Sequence, residues 1–81
     1  RVVLPKGLTG KLLVVNKDWN FVVLDIGYEN GLQANAEMLI HRDDQFLGKV
    51  FITSVSRHAA IADILEEWQQ APIREGDYVV Y

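Results

Sequence analysis

The chain has 81 residues, 49% of them hydrophobic, with eight basic and eleven acidic side chains and a net charge of −3 at pH 7. That length allows one domain, and a domain so small buries only about 60% of the surface its unfolded chain exposes, so its core must be dense. Without cysteine there is no disulfide framework, thiolate metal site or cysteine nucleophile, and the scattered basic residues do not form the stripe that marks a nucleic-acid binder.

Residues 1–9 (RVVLPKGLT) read as a leading strand or linker, interrupted by Pro5 and Gly7. Valine and leucine over residues 10–16 predict a strand. Lys17-Asp18-Trp19-Asn20 is a turn, closed by local hydrogen bonds from Asp and Asn. Residues 21–26 (FVVLDI) form the second strand, followed by a loop in which Gly27 and Gly31 supply positive φ. The third strand covers 36–42, and Asp43-Asp44 make a hairpin. A fourth strand runs over 46–55, with a bulge near Gly48. Residues 58–64 (HAAIADI) carry alanines that favour helix. Their likeness to FVVLDI assigns them to a strand instead. Residues 65–70 predict a helical turn ending before Pro72, and 77–81 form the last strand.

The strand assignment rests on an internal repeat. Residues 10–26 overlay 48–64 without a gap, at an offset of 38. Gly10-Lys11 meets Gly48-Lys49, and Asp25-Ile26 meets Asp63-Ile64. After an insertion of three residues, Met38-Leu39-Ile40 meets Val79-Val80-Tyr81 at an offset of 41. Two copies are too few for a solenoid, which needs at least about three. The expected fold is therefore all-β: a six-stranded, pseudo-two-fold barrel with one short helical segment, formed by the halves 10–42 and 48–81.

Side chains alternate across a strand, so the repeat also sorts them. Leu12, Val14, Val22, Leu24, Ile26, Val50, Ile52, Ala60, Ala62 and Ile64 contain no charge and are assigned to the core. Leu13, Val15, Phe21, Val23, Asp25, Phe51, Thr53, Ala59, Ile61 and Asp63 should face outward. This outward set is still largely apolar. Either the leading segment and the 65–70 turn cover it, or it docks a partner, because monomers seldom expose large apolar patches. Trp19, Tyr28 and Trp68 lie in loops that could meet at one end of the barrel and anchor a partner.

Ile73-Arg74-Glu75-Gly76-Asp77-Tyr78-Val79-Val80 resembles the Gly-Asp box of cradle-loop barrels, the group that includes RIFT-type and double-psi barrels. Glycine permits the turn, and the aspartate can accept backbone N–H bonds. In the first half the same place holds Asn35-Ala36. Asparagine tolerates the left-handed conformation, but alanine cannot act as acceptor. Together with Gly10-Lys11 through Asn16, residues 22–27, Gly31-Leu32, His41-Arg42 and Gly48-Lys49-Val50, this box is similar to small β-barrel modules of bacterial envelope proteins, such as the C-terminal domain of flagellar assembly protein T. Family members often carry glycine where this chain has Asn35. The resemblance implies a non-catalytic interaction or assembly module in the periplasm or cell envelope. Its partner would be another protein, adjacent domains of the same chain or a second copy.

Chemistry has few footholds. His41 with Asp43 and Asp44 lacks a distant third metal ligand, and His58 opens a strand after a turn. Ser54 and Ser56 lack an oriented base and an oxyanion hole. Asp25 and Asp63 are equivalent carboxylates that could share a proton if they faced each other. The Thr/Ser-Gly that follows such aspartates in acid proteases is missing, and capping of the next loop is the expected role. Gly27–Gly31 is too short and acidic to cradle phosphate. No cofactor, no metal, no nucleic acid and no direct membrane insertion are expected, since no run approaches the roughly 18 apolar residues of a span and no signal peptide stands out. Arg1 at the start reads as a processed chain or a domain of a longer protein. A small-ligand-binding sensory barrel is the alternative function, and an aspartate-pair hydrolase ranks last.

Overall fold

Six strands form where β-branched and leucine side chains recur at a spacing of two: β1 (Thr9–Asn16), β2 (Phe21–Leu24), β3 (Glu37–Arg42), β4 (Gln45–Val55), β5 (Ala60–Leu65) and β6 (Tyr78–Val80). In the computed structural model, which describes residues 2–81, they close into an antiparallel barrel in the order β1-β2-β5-β4-β3-β6. Closure gives every strand a neighbour on each side. The only helical elements among the described residues are single 3-10 turns at Tyr28–Asn30 and Glu66–Trp68. The alanines of β5 sit in a strand because ladders to β2 and β4 outweigh their local helix preference.

Strand pairing follows the internal repeat. Val23 lies opposite Ile61, its own counterpart 38 residues on. Leu39 lies opposite Val80, its counterpart 41 residues on. A pseudo-two-fold axis therefore pierces the wall at these two places, perpendicular to the barrel axis. The first strands correspond at an offset of 40, which corrects the ungapped overlay. Leu12–Leu24 and Val14–Val23 match Ile52–Ala62 and Ser54–Ile61, and Thr9–Val80 matches Lys49–Leu39. The physical cause is turn length. The last pair of β1 and β2 is Asn16–Phe21, with four residues between. In the second hairpin the Ser56 N–H donates to the Ala59 carbonyl at 2.9 Å, with two residues between.

The core follows the predicted alternation with one exception. Leu12, Val22, Leu24, Val50, Ile52 and Ala62 are buried, joined by Met38, Ile40 and Val79 from the third strand of each half. Val14 is 43% exposed, which overturns its assignment to the interior. A bulge between Leu12 and Val14 inserts one residue into β1, reversing the parity beyond it. Val15 consequently leans against the core. The matching bulge in β4 falls between Ile52 and Ser54. Residues 2–8 run along one mouth of the barrel. Leu4 is buried in the core, and the Leu8 carbonyl accepts the Tyr81 N–H at 3.0 Å.

The turns explain four glycine or asparagine choices. Asn35 (φ 69°) and Gly76 (φ 92°) hold equivalent left-handed positions. Each donates its N–H at 2.8 Å to a first-strand carbonyl, Asn35 to Ile52 and Gly76 to Leu12. Gly31 has φ 91°, as expected, but Gly27 has φ −143°, which any residue can adopt. What Gly27 supplies is room. A Cβ there would lie 2.1 Å from the Ser56 carbonyl oxygen and 2.5 Å from that of Arg57.

Two substitutions separate room from conformation. Gly27→Ala must push the 27–30 turn off the β4–β5 hairpin and should cost about 2 kcal/mol in urea unfolding. Gly76→Asn, copying Asn35 in open space, should stay within about 1 kcal/mol of the parent.

Candidate functional site

Outward side chains of neighbouring strands line up in rows. One row across the two-fold axis reads Val14, Val23, Ile61 and Ser54, each the register partner of the next. The bulged Leu13 lies beside it. Leu13 is 49% exposed and Ile61 42%. Val23 and Phe51 are half-buried. A shallow hollow of about 340 Å³, lined by Val23, Ser54, Ser56, Ala59 and Ile61, adjoins the row. Of the expected docking residues, Leu13 and Ile61 therefore share one wall. Phe51 stands one step along, in the row Phe21, Asp63, Phe51 and Glu37. Val15 is partly withdrawn into the core.

Neither expected cover lies on this wall. The leading segment packs at the mouth, where Pro5 meets Gly31. The 66–70 segment crosses β4, where the Gln70 N–H donates to the Leu47 carbonyl at 2.8 Å and Lys49 Nζ sits 3.8 Å from the Trp68 ring.

The aromatic loops do not converge. Strand directions place the turns 17–20, 43–44 and 66–77 at one end of the barrel and the loops 25–36 and 56–59 at the other. Trp19 and Trp68 thus belong to one end and Tyr28 to the opposite end. A two-fold perpendicular to the barrel axis sends equivalent loops to opposite ends, and the expectation of a single aromatic cluster is corrected on that ground. Trp19 is 80% exposed and Tyr28 60%. A second exposed set, on β3, β4 and β6, lies outside the two alternating sets that the repeat defines. It includes Leu39, Phe46 and Tyr78, with His41 stacked on Tyr78 at 5.9 Å.

The Gly-Asp segment holds the one buried charge of the described residues, Asp77. Its carboxylate accepts from Arg42 Nε at 2.8 Å and Arg42 Nη2 at 2.9 Å, and from the Arg74 N–H at 2.8 Å. Arg42 Nη2 also donates to the Pro72 carbonyl at 3.1 Å. Such a bidentate pair is geometrically selective, and it ties the 72–77 turn to the end of β3. Hydrogen bonding to Asp77 raises the Arg42 pKa above its ordinary value, so the guanidinium stays charged throughout the accessible pH range. Arg42 is not among the expected turn residues, yet the β3–β6 register, continued one step beyond His41–Tyr78, places it beside Asp77.

The other titratable groups are dispersed. Asp63 lies opposite Phe21, whereas Asp25 lies just past Leu24, at the far end of the same ladder. Four residues of strand separate the two levels, about 13 Å, so the carboxylates cannot share a proton. Asp25 instead accepts the Lys11 N–H at 2.7 Å. His41 Nδ1 contacts the Asp43 carbonyl at 3.2 Å. Glu29 pairs with Arg57 at 2.9 Å and His58 at 3.1 Å, all exposed. Among the described residues no three metal-ligating side chains converge.

Asp77→Ala should strand the Arg74 N–H and the Arg42 fork together, lowering the melting temperature by on the order of 10 °C, read by circular dichroism. Comparison of the chain with protein-family models, curated proteins and solved structures finds no match.

Proposed function

We propose that the barrel is a non-catalytic interaction module that docks a protein partner through the β1–β2–β5 wall, within a larger bacterial envelope protein. The observation that carries this reading is the apolar row of Leu13, Val14, Val23 and Ile61 on a wall that neither the leading segment nor the 66–70 segment overlies. Exposed side chains of this kind raise the cost of leaving the wall in water, and burying them releases about 25 cal/mol for each Å² of apolar area. The rigid ladder beneath fixes their spacing, so little order is lost on docking. The envelope placement draws on the resemblance of the Gly-Asp segment and the repeat boundaries.

A photo-crosslinking residue at position 61 tests the proposal in the full-length parent protein, in its native cell. The expected result is a discrete adduct, recovered with the envelope fraction and lost in a Val23→Asp background that still folds. Position 44, on the β3–β4 hairpin, serves as the control. Crosslinking at 44 but not at 61, or an adduct confined to the cytoplasmic fraction, would count against the wall or the envelope respectively.

A further inference from the structure

The two long loops meet the first strands of their halves differently, and the difference leaves the end of β1 without a neighbour. β1 pairs with β6 only over Thr9–Lys11. Leu12 then exchanges main-chain bonds with Gly76 and Asp77. From Leu13 to Asn16 the β6-facing edge has no strand beside it. Among the described residues its one hydrogen bond runs from the Val15 N–H to the Glu75 carboxylate, at a long 3.4 Å.

The other half shows how the end of such an edge is closed off. The position equivalent to Asn16 is Ser56, at the offset of 40. There the Tyr28 N–H donates to the Ser56 carbonyl at 2.9 Å, and the Glu29 N–H to the Arg57 carbonyl at 3.2 Å. The equivalent loop of the second half is three residues longer. It swings away over β4, bound to the Leu47 carbonyl. An open trough of about 650 Å³ remains between it and β1, lined by Val15, Lys17, Ile64, Gln70 and Ile73. A second hollow of about 250 Å³ continues it past Val15 and Lys17 to Arg74 and Glu75.

We propose that the β1 edge from Leu13 to Lys17 binds an extended peptide segment of a partner protein by strand addition, with the Glu75 carboxylate as its placeholder. A free strand edge is a template for main-chain pairing, and addition of an extended peptide is an established recognition mode. The trough supplies an apolar floor of Val15, Ile64 and Ile73 for alternate side chains of the incoming strand. Leu13 to Lys17 spans about 13 Å, room for four or five peptide residues. A small polar ligand fits the trough less well. Small-molecule sites are concave and bring several polar groups to one point, whereas the amides here are already engaged: Asn20 with the Ile64 carbonyl, Gln69 with that of Ala71 and Gln70 with that of Trp68. The edge is separate from the Val23–Ile61 row, so this inference stands whether or not that wall docks a partner.

The test uses the intact chain and nine-residue peptides selected from a random displayed library. Two-dimensional NMR and amide hydrogen exchange then locate the best peptide. Strand addition predicts protection of the Val15 and Lys17 amides and at least tenfold weaker binding by Val15→Pro, which removes the outward N–H. Glu75→Ala, which removes the placeholder without touching the strand, should bind two- to fivefold tighter. Ile61→Asp should bind as the parent does. Should Val15→Pro fail to fold, the amide protection and the Glu75→Ala affinity decide the matter. The proposal is overturned if the selected peptides leave the Val15 amide unprotected, if Glu75→Ala binds no tighter, or if perturbation centres on Val23 and Ile61. Protection of Val15 that grows with protein concentration in the absence of peptide would also overturn it, naming a second copy as the added strand.

Discussion

Closure across the two-fold axis is the constraint on which the rest of the structure depends. Two ladders, β2–β5 around Val23–Ile61 and β3–β6 around Leu39–Val80, join each half to the other through equivalent residues. Neither half is a sheet that could bury its own apolar face. β3 pairs only with β4 and β6, and β6 only with β1 and β3, so the third strand of each half is housed entirely by the other. In a chain this short such interleaving lets one layer of Leu, Val and Ile serve both halves at once, without the second layer that a larger domain would add.

Much of this was legible because the side-chain period of a strand is two. The overlay of the first strands slipped by two residues, an even number, and every inward position except Val14 survived the slip. Val14 failed for a different reason. A bulge adds a residue that alternation cannot anticipate, and nothing in Leu-Leu-Val-Val distinguishes a bulged strand from a straight one. The left-handed position at Asn35 was readable from residue type, whereas the close approach at Gly27 was not, since steric room depends on a hairpin 29 residues away.

The surfaces were less legible than the core. Whether Trp19, Tyr28 and Trp68 share an end depends on the direction of the two-fold, which the repeat alone does not give. The Arg42–Asp77 pair could have been anticipated, because a ladder centred on equivalent residues fixes its own register. The open edge of β1 left only a trace in the sequence, the three-residue insertion. Its meaning required knowing which way the longer loop turns, and that is decided by the contact of Gln69 and Gln70 with Gly48 and Leu47 on β4.

The order of pairing also bears on how the barrel comes into being. β6 is the last strand in the chain, yet it supplies one neighbour to β1, the first. Every strand of the barrel through Val80 must be made before closure, and until Tyr78–Val80 emerge both β1 and β3 present bare edges beside an uncovered apolar interior. Pairing of the earliest strand with the latest is slow, because the whole intervening chain must be gathered first. The vulnerable period for this protein is therefore its birth, when a nascent chain has the appetite of an aggregating sheet and no means yet of satisfying it internally.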